Sequence, residues 1–291
     1  MLISYNEACA KDCSTLEQDL DLCERSGFDC IELRLDMLRY YLTRRSVDEL
    51  AGFFQTSRLR PHAFNALYLY PEFLGPEDDP ERQAALLEEF NLSCRVGRAI
   101  GSEYLIVVPP LQRDPAGGPY TGSWEDTFAA CVRILSRLSD LALPYGMKLC
   151  FELVGFERSS VRSVAQADAI VRAVNRPNVG FVFDSYNMYL NGGSNDFTAI
   201  GSVQPEKIFA AHLMSADDVP PELRGQDKRR FCGGGAVDTG AFLRELKRAG
   251  YRGIASVETF RPEYWDRPPE WVIAEAYRTT RAELERSGCL S

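Results

Sequence analysis

Four residues able to ligate a metal ion stand at the ends of four successive apolar runs. Glu152 lies in Lys148 to Val154 (K-L-C-F-E-L-V), Asp184 in Val179 to Asn187 (V-G-F-V-F-D-S-Y-N), His212 in Ile208 to Ser215 (I-F-A-A-H-L-M-S), and Glu258 follows Ile254 to Val257. Short, mostly apolar runs of this kind fill buried parallel strands. A carboxylate in such a place has to be paired or bound to a cation, because burying it alone is too costly. A single acidic residue at a strand end is most often a helix cap or an ion-pair partner, and a single histidine a satisfied polar group. Four suitable side chains on consecutive strands point instead to one site. Three carboxylates and an imidazole suit one divalent ion such as Mn²⁺, Co²⁺, Zn²⁺ or Mg²⁺, with positions left open for a substrate.

The elements that must position these four alternate along the whole chain. Strands are expected at Leu2 to Tyr5, Cys30 to Leu33, Pro61 to Leu67 and Tyr104 to Val108, followed by the four ligand-bearing runs. Helices are expected at Leu16 to Ser26, with Ser14 or Thr15 as N-cap and Gly27 as terminator, and at Val47 to Gln55 behind Ser46. Further helices follow at Pro80 to Ile100, Trp124 to Leu143, Val164 to Val174, Phe197 to Val203 (a weak one), Thr239 to Ala249 and Glu270 to Arg286. Eight strand–helix units read as a single (β/α)₈ TIM barrel spanning residues 1–291, with a doubly wound sheet as the competing architecture. Helix-to-strand connections are short, whereas strand-to-helix connections such as Pro109 to Ser123 and Ser215 to Asp238 are long. In a barrel the long kind builds the active site, at the C-terminal face.

Candidate substrate contacts are Asn6, His62, Asn65, Asn187, Arg229 and Arg261. His62 and Asn65 share the third strand, three residues apart, which in a regular strand places them on opposite faces, so one of the two lines the barrel. A strand that frays early would relax this. Arg229 and Arg230 read first as solvated surface, with contact to an oxygen-rich substrate as the alternative. Gly233-Gly234-Gly235 lacks the strand-then-helix context of a dinucleotide fingerprint and reads as a hinge or tight turn. Tyr68, Tyr70, Phe73, Trp124 and Trp265 fall in or beside mouth loops, where they cover a polyol ring or pack the loop base.

Composition bounds the function. The 291 residues are 45% hydrophobic and 26% charged, as in a globular protein with a large core, and the net charge of −9 argues against a nucleic-acid surface. No run approaches the roughly 18 apolar residues of a membrane span, and no signal peptide is visible. Nine cysteines, an odd number without a C-x-x-C pair, read as reduced thiols in a cytoplasmic protein.

The segments S-Y-N-E-A (Ser4 to Ala8), I-E-L-R (Ile31 to Arg34), F-N-A-L (Phe64 to Leu67), F-E-L-V-G (Phe151 to Gly155), F-D-S (Phe183 to Ser185) and V-E-T-F-R-P-E-Y (Val257 to Tyr264) resemble the xylose-isomerase-like superfamily, and within it the inosose isomerase branch. The last segment is the most specific. The resemblance implies a metal-binding barrel with ligands at Glu152, Asp184, His212 and Glu258, and a small keto-polyol as substrate. The reading that follows is isomerisation through an enediolate, one of Glu152 and Glu258 removing the proton beside the carbonyl and the other returning it. A ketose 3-epimerase and a metal-dependent lyase of 3-keto-glycosides share that chemistry and stay open, as does a barrel that binds sugar without turnover. A superfamily endonuclease fits poorly with two histidines and an acidic chain. Neither nucleic acid nor membrane is expected as a partner, and a homo-oligomer is left open. Two departures touch the substrate side. Relatives often carry a histidine where this chain has Asn187, and Cys232 stands where the glycine loop usually begins with proline.

Overall fold

The computed structural model describes residues 1–70, 80–112, 114 and 118–290. Eight parallel strands close into a barrel: β1 (Leu2–Asn6), β2 (Cys30–Arg34), β3 (Arg60–Tyr68), β4 (Tyr104–Val108), β5 (Lys148–Glu152), β6 (Val179–Asp184), β7 (Ile208–Leu213) and, after a small ribbon, β10 (Ile254–Val257). The ribbon pairs β8 (Ser215–Ala216) antiparallel with β9 (Arg229–Arg230) on the long connection that follows β7. Closure is made by β1 against β10, with Ser4 opposite Ser256. The doubly wound alternative is therefore excluded.

The helices are α1 (Leu16–Ser26), α2 (Leu35–Leu42), α3 (Val47–Thr56), α4 (Pro80–Ile100), α5 (Trp124–Ala142), α6 (Val164–Val174), α7 (Ser185–Leu190), α8 (Thr239–Arg248), α9 (Pro262–Trp265) and α10 (Pro269–Arg286). Thr15, Ser46 and Ser163 each form a reciprocal capping box with a Gln or Glu three residues on, which satisfies orphan amide donors of the first turn. Three short helices differ from expectation, one of them α9, which starts at Pro262 in a stretch where no helix is expected. α2 follows β2 directly and has no side-chain cap, so it lacks a start signal. α7 starts at Ser185, inside the run read as strand, because the Asp184 carboxylate accepts from Asn187 N and turns the chain into a helix. The weak helix at Phe197 to Val203 is a 3-10 turn, Thr198–Ser202.

Strand alternation sorts the core into two layers. Ile31, Leu33, Leu105, Val107, Leu149, Phe151, Phe181, Phe183, Leu213 and Val257 face outward and pack under the helices. Each such Leu, Val or Phe contributes about 1.5–3 kcal/mol through removal from water. Inside the barrel, Cys30, Ala63, Ile106, Cys150, Val182, Ala210 and Ile254 form a separate apolar floor. On the same inward face, nearer the C-terminal ends, the residues become polar. That change from floor to mouth is what places a charged site on an apolar plug.

Candidate metal centre and active site

Four adjacent strands of the barrel, β5, β6, β7 and β10, carry Glu152, Asp184, His212 and Glu258 at or just past their C-terminal ends. Asp184 stands directly opposite His212 in the ladder. One ligand atom from each of the four lies within 4.8 Å of the others, and all four side chains are buried. Each carboxylate is held by a neighbour. Asp184 Oδ1 accepts from Asn187 N at 2.7 Å, which leaves Oδ2 facing the site. Glu152 Oε1 accepts from Asn187 Nδ2 at 2.9 Å. Glu258 Oε1 accepts from Asn65 Nδ2 at 2.7 Å and Asn6 Nδ2 at 3.2 Å. The Arg229 guanidinium reaches across the mouth, Nη1 donating to Asp184 Oδ2 at 2.7 Å and Glu258 Oε2 at 3.1 Å.

The electrostatics show a site that demands positive charge. Burial, with the repulsion of Glu258 and Asp184, pushes Glu152 up to about 8. Burial likewise raises Asp184, against the pull of Arg229. Glu258 is driven the other way: burial opposes its charge, but His212 and Arg229 bring it down to about 2. Burial lowers His212, and the carboxylates of Glu32 and Glu258 more than reverse this. Both imidazole nitrogens of His212 are buried without completing a hydrogen bond among the described residues, and Nδ1 is aimed at Glu258 Oε2, 3.4 Å away. Three carboxylates converging on an orphaned imidazole nitrogen fit a divalent cation in kind and in charge.

A cavity of about 220 Å³ lies above this cluster, lined by Asn65, Tyr68, Glu152, Asn187, Arg229 and Glu258 among others. At ~30 Å³ per water it has room for about seven waters, the space of one small molecule. Arg158, Gln226 and Phe260 are shared with an outer cleft of about 920 Å³, where Trp265 also stands.

The structure separates the expected substrate contacts. Asn65, Asn187 and Arg229 line the cavity. Arg229 is buried, which corrects its reading as solvated surface; Arg230 beside it is half exposed and pairs with Asp217. Asn6 is fully buried beneath Glu258, bonded to it and to Glu32, away from the cavity lining. His62 stacks on Tyr104 at the lower end of the barrel, ring centroids 4.6 Å apart, with Nδ1 3.5 Å from Glu32 Oε1. The expectation that only one of His62 and Asn65 faces inward fails for a local reason. The β2–β3 register slips between Ile31 and Leu33, so His62 and Ala63 both stand opposite Glu32 and the later phase of β3 is reset. Arg261 turns from the cavity to Asp217, at 2.8 Å. Tyr68 lines the cavity and stacks with Tyr70, while Trp124 packs against Phe128. Phe73 lies outside the described residues. Sequence reasoning gave no role to Glu32, Arg158 or Gln226. For Glu32 the signal existed: it is an acidic residue in an apolar strand, as Glu152 is.

A model of the xylose isomerase-like TIM barrel family matches residues 20–282. The chain is 34% identical to an inosose isomerase from Bacillus velezensis over 287 residues, 98% of each protein. It is 36% identical to the inosose isomerase of Bacillus licheniformis over 281 residues, 96% of each. An L-ribulose 3-epimerase from a Methylomonas species is 28% identical over 248 residues, 83% of this chain and 77% of the relative. Among solved structures, the crystal structure of the IolI protein with a bound zinc atom superposes with a TM-score of 0.89 at 34% identity, covering 99% of both chains.

Proposed function

The chain belongs to the xylose isomerase-like TIM barrel family, and we propose that it is a metal-dependent isomerase of a keto-polyol whose substrate is an inosose. The observation that carries this reading is the convergence of Glu152, Asp184, His212 and Glu258 within 4.8 Å at the foot of a cavity sized for one small molecule. Near-full-length similarity to inosose isomerases supports the choice of substrate. The four residues would hold one divalent ion, zinc being the metal bound by the similar IolI protein. When bound, such an ion supplies Lewis acidity that makes the carbon beside a carbonyl more acidic.

The protein's own groups then divide the work. Glu152 and Glu258 stand on β5 and β10, separated in the barrel by β6 and β7, so they approach a molecule in the cavity from different sides. One takes the proton from the carbon beside the carbonyl, the electron pair moving in to form the enediolate. The other delivers a proton, to the former carbonyl carbon for a positional isomer, with the neighbouring hydroxyl's proton passing to the former carbonyl oxygen as its own carbon becomes the new carbonyl, or to the original carbon on its opposite face for an epimer. Arg229, charged and buried, faces the same space and offsets the negative charge that develops. Asn65 and Asn187 orient the two glutamates through their amides. The epimerase outcome is a second reading, favoured by the similarity to the ribulose epimerase.

The test is proton NMR of 2-keto-myo-inositol in D₂O with enzyme of measured metal content. We expect exchange at the carbon beside the carbonyl together with a new positional isomer. Glu152→Gln and Glu258→Gln should each lower turnover by about 10²–10⁴-fold at saturating metal, with the fold intact. Exchange with inversion and no positional isomer would select the epimerase. No exchange in metal-loaded protein, or near-normal turnover in both variants, would defeat the two-glutamate mechanism.

A further inference from the structure

Below the four candidate ligands the barrel buries one more carboxylate, Glu32 of β2, whose side chain has no exposure at all. Leaving an ion there without compensation would cost several kcal/mol, so its surroundings should explain it. Oε2 accepts from Ser256 Oγ at 2.8 Å and from Asn6 Nδ2 at 3.0 Å, and it stands 3.0 Å from His212 Nε2. Among the described residues Oε1 finds no hydrogen-bond partner, and it lies 3.5 Å from His62 Nδ1. The only two histidines of the chain thus flank a single carboxylate. The contacts come from separate strands, β1 through Asn6, β3 through His62, β7 through His212 and β10 through Ser256.

His212 has two ring nitrogens and, when neutral, one proton between them. Its Nδ1 faces Glu258 and its Nε2 faces Glu32. A proton on Nδ1 would point at the other candidate ligands and block that nitrogen. A proton on Nε2 points at the Glu32 carboxylate, 3.0 Å away. We infer that Glu32 is the positioning residue of the metal centre: by accepting the His212 Nε2 proton it fixes the tautomer that presents the Nδ1 lone pair to the ion. Asn6 and Ser256 hold the Glu32 oxygen in place, and Asn6 also donates to Glu258, so one amide sets the height of both carboxylates. The inference rests on the metal-centre reading of the quartet, and not on which keto-polyol is turned over.

The experiment is long-range ¹H–¹⁵N NMR of the imidazoles, which give only two ring systems to assign, combined with zinc affinity measured by chelator competition. Wild-type, zinc-loaded protein should show His212 protonated at Nε2 and ligated at Nδ1. Glu32→Gln puts a neutral amide oxygen, a weaker acceptor than a carboxylate, opposite the His212 Nε2 proton, and should weaken zinc binding 10–100-fold. Ser256→Ala, a milder change that guards against misfolding of the first variant, should weaken it a few-fold while the zinc-bound tautomer is retained. Protonation of His212 at Nδ1, or affinities within twofold of wild type in both variants, would overturn the role of Glu32. Wild-type protein that takes up no zinc, cobalt or manganese would overturn both this role and the metal-centre reading. Absent inosose turnover in a protein that binds zinc and responds to both substitutions would count against the substrate alone, leaving the role of Glu32 supported.

Discussion

Asn187 sits three residues after Asp184, at the cavity wall, and joins two of the site's carboxylates. Its backbone N–H closes the Asp184 cap and its side-chain amide holds Glu152, while Oδ1 is buried and has no hydrogen-bond partner among the described residues. The cap of this helix is therefore Asp184, and Asn187 is free to act as a support for Glu152 at the cavity wall. Asn187→Ala should lower kcat/KM by about 1–3 kcal/mol of transition-state stabilisation, from a substrate hydroxyl and Glu152 both left short of a partner. Asn187→His should introduce a pH dependence near roughly 6–7, the ordinary range of an imidazole, and change the order of preferred substrates. Kinetics of both variants on several inososes and ketoses check this. An unchanged order would reduce Asn187 to a brace for Glu152.

The ribbon of β8 and β9 is the element that brings Arg229 inward. Ala216 pairs with Arg229 across it, and Ala236 N donates to Ala216 O at 2.8 Å, clamping the returning glycine run against it. Gly235 adopts φ +111°, a region that side chains disfavour, and an added Cβ would meet the Ala216 carbonyl. Gly235→Ala should therefore displace the ribbon and withdraw Arg229, costing about 1–3 kcal/mol of stability. Its kcat/KM should fall at least about tenfold, with metal stoichiometry unchanged. Gly52→Ala serves as the contrast. Gly52 lies inside α3, where an added Cβ meets nothing within 4 Å, so the change should stabilise by about 0.5–1 kcal/mol without touching activity. Denaturant unfolding and steady-state kinetics of the pair separate the two effects. Equal activity in Gly235→Ala and wild type would show that the ribbon does not set the position of Arg229.

At the scale of the whole molecule, a second buried acidic cluster makes stability depend on pH. Asp19 on α1 is fully buried, and burial raises its carboxyl from 3.8 to about 8 despite a hydrogen bond from Ser14. Glu7, Tyr5, Cys9 and Cys23 face the same interior. Between those two pH values the folded protein keeps a proton that the unfolded chain has lost, so this group's contribution to stability falls as pH rises from about 4 to 8. Asp19→Asn keeps the partner to Ser14 and removes the titration. The variant should gain Tm relative to wild type as pH goes from 5 to 8, by ~2–4 °C for each kcal/mol recovered. Parallel Tm profiles for the two proteins across that range would exclude Asp19 as the group responsible.

What the chain determines by itself is whatever depends on near neighbours. Alternation along each strand, the capping boxes at Thr15 and Ser46, and an acidic residue or histidine ending an apolar run are all local. The barrel and the four candidate ligands are therefore legible in the amino-acid sequence alone. Tertiary structure decided the rest, because it depends on contacts between residues far apart in sequence. Asn6 meets Glu258 across 252 residues, and only the pairing of β1 with β10 brings them together. His62 and Asn65 both turn inward through a register slip against β2, which no periodicity within β3 announces. Arg229 has the composition of surface and the position of core, since its charge is compensated only once Asp184 and Glu258 have been assembled by folding. Glu32 depends on the fold most of all: its buried carboxylate is intelligible only beside His212, which folding brings to it from across the barrel.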